Sequence, residues 1–555
     1  VTSFDPPAET PDRRRLLAGL GLLGASAAIA VPMTATPAHA SAASVVESDD
    51  LGSYPAAAFG AVADGKADDA GPLQKAIDAA AAAGGGTVRL IPGKRYLLGS
   101  PLHLRSGVTI TSERARATIV LTTNYSETYV VDAKGVSAVE LRNLAFLCEE
   151  RANLTRCVHI MGSTDVTLDN LHVEGISAGA YDRDTGVASS ALVRFEDCHR
   201  VGVLGCRLAK AYVGLNVAGN STHVTIDDCD VHDMAEFGVH VLGGVSSHTE
   251  HLTISRCRLE RIGGGPVPEF AGYPIYITSG GKNPAAQKHR FVRGLDNRIL
   301  GNKKPHDPTA NADLFAIYDI FDGVFERNEL FYGGDAGLST DRCRKLVIAG
   351  NIIGYCNTVG INVWQTSDVT VTGNVVYNNY QNYDGGLSAE PRGGIRTYAR
   401  LGFKAENVVI VGNRCFDDQE TKTQDYGVYI HPRTRGVVIG PNMLTGNKEG
   451  MYRTGSVEDV TFSHVVTVDA LPSAGYWEKG MIVQLRNPAA GQPLQWICVT
   501  AGKPGVWRPT GAAEIATAVT GVPAYIGQLA LKDNALYVAA GTASAADWRK
   551  AGDLA

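Results

Sequence analysis

An asparagine or cysteine returns again and again between one alternating apolar stretch and the next, and this recurrence restricts the chain to a repeat architecture. The segments VTIDDCDV, LTISRCRL, VFERNEL, LVIAGNII, VTVTGNVV and VVIVGNRC all carry it. The shared place is held by Asn143, Asn170, Cys206, Cys229, Cys257, Asn297, Asn328, Asn351, Asn374, Asn413 and Asn442, and its shortest spacing, 23 residues, occurs three times. Longer intervals read as the same unit with loops inserted. A unit of this size, with period-2 alternation, Gly-rich turns and no helical periodicity, fits one coil of a parallel β-helix. Equivalent residues of successive coils then stack at about 4.8 Å, and an Asn repeated once per coil can bond its amide to the next. Cys206, Cys229 and Cys257 occupy ladder places and read as small buried fillers rather than disulfide partners.

The expected fold class is therefore all-β, a parallel β-helix, with the coils running over residues 55–465. In AAAFGAVADGKADDAGPLQKAIDAAAAAGGG a helix is expected: Asp68 or Asp69 can cap it, Leu73, Ile77 and Ala80 share one face, and Gly84-Gly85-Gly86 ends it. Such a helix would cover the open end of the sheet stack. This stretch with the following TVRLIPGKRYLLGSPLHLRSGVTI resembles the start of the pectate-lyase-like superfamily of right-handed β-helices. The resemblance, close over residues 55–125, implies a right-handed solenoid with an N-terminal capping helix. It does not fix a chemistry, because the superfamily includes lyases, hydrolases, epimerases and phage tailspikes.

Both ends differ from the coils. Near the N-terminus, DRRRLLAGLGLLGASAAIAVPMTATPAHA has an arginine cluster, a modest apolar run and a small-x-small ending. It resembles a twin-arginine export signal over residues 1–40, with Arg13 and Arg14 as the pair and cleavage after Ala40, followed by a linker over 41–54. The expected location is periplasmic or extracellular, with no membrane span in the mature chain. Residues 466–555 carry three of the five tryptophans in a Pro/Gly-punctuated β pattern. They read as one or two small β modules for trimerisation or surface binding, hence a possible homotrimer, or as a plain cap. A net charge of −6 provides no broad basic surface, so nucleic acid is not an expected partner.

The chemistry is sought on the second alternating strand of each coil, where alternate residues face outward. One outer row reads Asn216, His240, Tyr276, Tyr318, Ser339, Asn362, Arg396, Tyr429 and Tyr452. The next reads Ala218, Leu242, Thr278, Ile320, Asp341, Trp364, Tyr398, His431 and Thr454. Together they would form a face about 40 Å long. Aromatic faces stack on sugar rings, while Asn and Arg fix hydroxyls or carboxylates, so a groove for a polysaccharide or oligosaccharide is the functional reading. The alternative is a sheet covered by loops or a neighbouring subunit. The insertions GGGPVPEFAGY and NNYQNYDGGLSAEPRGG would wall the groove.

Three function classes follow. A glycoside hydrolase, the favoured class, needs two carboxyls beside the scissile bond; Asp319 and Asp341 are the candidates, with Asp335, Asp425 and Glu236 in reserve. By strict alternation Asp319 points into the core, so the segment YDIFDG either bulges to present it or buries it. A polysaccharide lyase or epimerase would instead use a Tyr or His among Tyr276, His240 and His431 as base and Arg396 to neutralise a uronate. The third class is a catalytically silent tailspike-like or adhesin protein. In all three, His240, Tyr318, Asn362, Trp364, Arg396, Tyr398 and Tyr429 would bind sugar. Asp64, Asp68 and Asp69 resemble part of a calcium loop, but Asp at a turn and helix N-cap explains them more simply, and neither metal nor cofactor is expected.

Overall fold

The computed structural model describes residues 52–551 apart from 149–152, 177–180, 183–186, 189, 264–271, 280–287, 302–311, 382–392, 455–458, 490–491, 511–518, 520, 524–525 and 534, with backbone alone at 181–182 and 187–188. The expected export signal and linker, through residue 51, lie outside that range, as does most of each expected groove wall. Among the described residues no helix is long and apolar enough to cross a membrane.

Residues 53–462 wind into a parallel β-helix made of a 15-stranded and a 24-stranded sheet. Each coil contributes three strands rather than two. Ser367–Thr372 lies in the 15-stranded sheet, whereas Val375–Tyr377 and Gly393–Tyr398 form separate ladders of the larger one. The short middle strand follows the Asn place directly, and the groove candidates sit on the third. Inward Val, Ile and Leu side chains stack into one continuous core; Val369, Val371, Val376 and Ile395 are at most 1% exposed.

The asparagine ladder runs through Asn297, Asn328, Asn351, Asn374, Asn413 and Asn442. Each Nδ2 donates to the next Oδ1 at 2.9–3.0 Å. The backbone N–H of the same residue donates to that oxygen as well, as Asn351 does to Asn374 at 2.9 Å, and Asn351 Nδ2 also reaches the Phe325 carbonyl. A buried amide is thus saturated at every rung, which removes the desolvation cost of placing it inside.

Asn143 and Asn170 are corrections to the expected ladder. They stand one residue earlier, in the left-handed region at φ 55° and 51°, and Leu144 and Leu171 take the interior place. In later coils Gly350, Gly373 and Gly412 hold that left-handed position and the following Asn turns inward. Asn tolerates the left-handed conformation better than other side chains, so the same residue serves two adjacent places of the corner. The ten cysteines are free and buried. Cys206, Cys229 and Cys257 donate their thiols to carbonyls of the preceding coil, at 3.4 Å to Leu168, 3.4 Å to Val203 and 3.7 Å to Ile226.

The helix Ala70–Ala82 buries Leu73, Ala76, Ile77 and Ala80 against the first coils. The three acidic residues before it are committed to backbone amides. Asp64 accepts from Lys66 and Ala67, Asp68 from Ala70 and Gly99, and Asp69 from Val62 and Ala63. Beyond the coils, Val465–Val468, Ile482–Leu485, Gln495–Thr500 and Val506–Thr510 form a four-stranded sheet. Its Trp477, Met481, Val483 and Cys498 join the solenoid core. A three-stranded sheet from Leu529 to Lys550 packs a small core of its own around Ala530, Ala539 and Trp548.

Candidate active site

The third-strand ladder aligns Tyr273–Thr278, Phe315–Tyr318, Leu338–Asp341, Ile361–Trp364, Gly393–Tyr398 and Tyr426–Ile430 in parallel. One outward row is Asn216, His240, Tyr276, Ala316, Ser339, Asn362, Arg396, Tyr429 and Arg453. Two members differ from expectation. Ala316 holds the place assigned to Tyr318, and Arg453 that assigned to Tyr452. Tyr452 turns inward beside Val428, is 1% exposed and reaches His464 Nε2 at 3.2 Å.

Tyr318 moves to the other row, where it pairs with Asp341 and continues through Trp364 to Tyr398. Ile320 leaves this face altogether, because the strand Ile320–Glu326 belongs to the 15-stranded sheet. Between the two strands Asp319 adopts φ 59°, and this left-handed residue turns the chain. Alternation therefore does not apply to it: it points neither into the apolar core nor into the groove.

The Asp319 carboxylate is fully buried and ion-paired. It takes Lys288 Nζ at 2.6 Å and Arg342 Nε and Nη2 at 2.9 Å each. Burial pushes its pKa up, but Arg342 and Lys288 outweigh this and hold it below the ordinary value. Arg342 turns its remaining nitrogen, Nη1, to Asp341, whose other oxygen accepts Gln365 Nε2 at 2.6 Å. Asp341 is 8% exposed, and burial raises its pKa against Arg342 and Gln365.

A carboxyl absent from the expected set lies against Tyr318. Asp313 is 5% exposed, accepts Tyr318 Oη–H at 2.8 Å and takes the Ala336 amide at 3.1 Å. Burial first, and then the neighbouring Asp335, push it up to about 7. Asp335 itself is half-buried against Thr358 Oγ1 at 2.5 Å. Asp313 lies before its strand, where strand alternation gives no information. The available signal was that Asp313 replaces the small or apolar residues Ala336 and Val359, which neighbouring coils bury there.

The remaining candidates separate into surface and interior. Tyr276, Tyr318, Trp364, Arg396 and Tyr398 are half-exposed. His240 is fully buried, with its ring 4.4 Å from Phe237 and 5.5 Å from Tyr276, and burial pushes its pKa down to about 3. It is an interior support, which corrects its expected sugar contact: no part of the ring reaches solvent. Tyr276 meets Tyr318 edge-on at 5.5 Å. Asn362 donates to Ser339 Oγ at 3.2 Å and accepts from Arg396 Nε at 3.2 Å. His431 and Tyr429 are each 5% exposed; burial, Arg433 and Arg396 push His431 down to about 4. Tyr398 lies 4.4 Å from the His431 ring, and the Arg400 guanidinium sits 4.6 Å over Trp364. Glu236, one of the reserves, is 3% exposed on Asp230–Leu242.

Three parallel ladders around one apolar core define a parallel β-helix solenoid, and comparison with known families agrees. Residues 56–259 match the family model "Rhamnogalacturonase A/epimerase, pectate lyase-like", and residues 296–466 match "Right handed beta helix region". The chain is a right-handed parallel β-helix protein, and its first coils match a family model described as pectate lyase-like. Among solved structures it is similar to the A-module of a mannuronan C-5 epimerase from Azotobacter vinelandii, with 17% identity over 74% of this chain and 100% of that one, TM-score 0.47. It is also similar to tailspike protein 3 of bacteriophage CBA120, with 14% identity over 83% and 69%, TM-score 0.48. A surface adhesin of Streptococcus pneumoniae gives 14% identity over 83% and 100%, TM-score 0.43. No curated protein matches the sequence.

Proposed function

We propose that the protein cleaves glycosidic bonds of a polysaccharide or oligosaccharide by hydrolysis, with Asp313 and Asp341 as the carboxyl pair. The observation that carries this reading is that two buried carboxyls flank the half-exposed Tyr318, one through its hydroxyl and one through its ladder neighbour, and that both have raised pKa values. A glycosidic oxygen leaves poorly unless it is protonated, and a carboxyl near pH 7 still carries its proton. Asp313 supplies that proton. Asp341, oriented by Arg342 and Gln365, faces the developing positive charge as base or nucleophile. Asp319 acts one step back, as the group that positions Arg342. Tyr276, Trp364 and Tyr398 provide ring faces for sugars, and Asn362 and Arg396 provide polar contacts. The match to a family model described by rhamnogalacturonase and epimerase supports a carbohydrate substrate, although it covers 56–259 and ends before these carboxyls.

A second reading has its own observation. His431 is neutral at pH 7 and sits among Tyr398, Arg396 and Arg433, the set a lyase or epimerase would use to remove a proton beside a uronate carboxylate. Digestion of a glycan panel, read by mass spectrometry with ultraviolet absorbance, separates the two. Products whose masses sum to that of the substrate plus one water per bond cleaved, with no unsaturation, support hydrolysis, and loss of product in D341N and D313N assigns the pair. An unsaturated product, or an active D341N, overturns it. Absence of cleavage product on every glycan leaves an epimerase or a binding protein, and an inverted uronate signal in the proton NMR spectrum of the treated glycan identifies the former.

A further inference from the structure

On the middle ladder, away from the carboxyls, two successive coils place a tyrosine where the backbone is left-handed. Tyr332 has φ 63° and Tyr355 has φ 57°. They occupy equivalent places: the Tyr332 amide donates to the Gly354 carbonyl at 3.2 Å, and the Tyr355 amide donates to the Tyr377 carbonyl at 3.3 Å. The next coil has Asn378 there at φ 52°, a residue that suits the conformation. A bulky aromatic in this region is strained, and strain of this kind is retained where the side chain serves a purpose.

Their rings stack on one another, with centroids 5.5 Å apart and planes 22° from parallel. Tyr377 meets Tyr355 edge-on at 5.5 Å from the inner side and is itself stacked on Phe416 at 5.3 Å, so the pair rests on a rigid aromatic base. Tyr332 is 40% exposed and Tyr355 half-buried, and neither phenol hydroxyl has a hydrogen-bond partner among the described residues. Two rings offer far less than the roughly 800 Å² per side that a stable protein partner requires. They do suit one sugar ring, whose C–H face stacks on an aromatic plane while its hydroxyls meet the phenol oxygens.

The platform is joined to the candidate active site along the chain. From Tyr332 the chain runs through Gly333 and Gly334 to Asp335 and Ala336, and the Ala336 amide binds the Asp313 carboxyl at 3.1 Å. We infer that Tyr332 and Tyr355 form an accessory subsite that stacks a pyranose ring of the same glycan, holding the chain beyond the bond being cleaved. This rests on the carbohydrate reading above.

The test uses the full chain and its Y332G/Y355G variant, since glycine removes both rings and relieves the left-handed strain. Native electrophoresis through gels containing polygalacturonate, alginate, xylan or dextran reads binding, light scattering reads mass, and the melting temperature confirms folding. The expected result is at least tenfold weaker retardation of the variant by a glycan that retards the native chain, at unchanged mass. Equal retardation of both proteins overturns the subsite, and a lower mass for the variant shows a contact between copies instead. If the native chain cleaves a glycan through Asp313 and Asp341 but no gel retards it, the subsite falls and the hydrolase reading stands. If retardation depends on the tyrosines and nothing is cleaved, the subsite stands and the hydrolase reading falls. If no gel retards the native chain and nothing is cleaved, both fall.

Discussion

Asp319 grips Arg342 with both carboxylate oxygens, at 2.9 Å each, and thereby fixes the nitrogen that Arg342 presents to Asp341. Replacing Asp319 by Asn leaves Arg342 and Lys288 without their shared counter-charge in a buried site, and breaking such a pair from one side costs about 3–5 kcal/mol. D319N should therefore unfold at markedly lower denaturant concentration, measurable by equilibrium urea titration. Because its folded pKa lies below the ordinary 3.8, the stability it contributes is present above that value and is lost as pH falls through the folded pKa.

Asp313 has the opposite linkage. Its pKa of about 7 in the fold against 3.8 ordinarily means that the folded state binds the extra proton, so stability falls as pH rises from about 4 to about 7. D313N should flatten this slope in melting experiments across that interval. As the proton donor, Asp313 should also impose a loss of activity in the native protein above pH of about 7 on any glycan that is cleaved.

Asn351 bridges two neighbours: its Oδ1 accepts from both nitrogens of Asn328 at 2.9 Å, and its Nδ2 donates to Asn374. N351A strands buried donors on one side and an acceptor on the other, at an expected cost of about 2–4 kcal/mol. Chemical denaturation should show it. An unchanged midpoint would mean that the ladder is ornamental to stability.

All ten cysteines are buried thiols. A thiol reagent should react with essentially none of them in the native protein and with all ten after unfolding without reductant. Fewer than ten after unfolding would reveal disulfides.

The solenoid was legible in the sequence because its determinants are local and periodic. Alternation sets which residues face inward, and the polar place before each short strand marks the coil, so Asn297 through Asn442 could be placed by eye. The same reasoning set the helix Ala70–Ala82 from its apolar face and terminal glycines. It failed where one residue departs from the period. Asn143 and Asn170 carry the right residue type one place early, because a left-handed corner accepts Asn as readily as a ladder does. The register of Phe315 on Leu338 puts Tyr318 in the row of Asp341, and the single turn residue Asp319 sends Ile320 to another sheet. Asp313 precedes its strand, where alternation is silent, and its proton affinity comes from burial beside Asp335, which lies on the next coil. Register and electrostatic environment are sums over neighbours distant in the chain, so the sequence by itself determined the repeat and its interior. Only the tertiary structure decided which carboxyls are buried and which groups surround them.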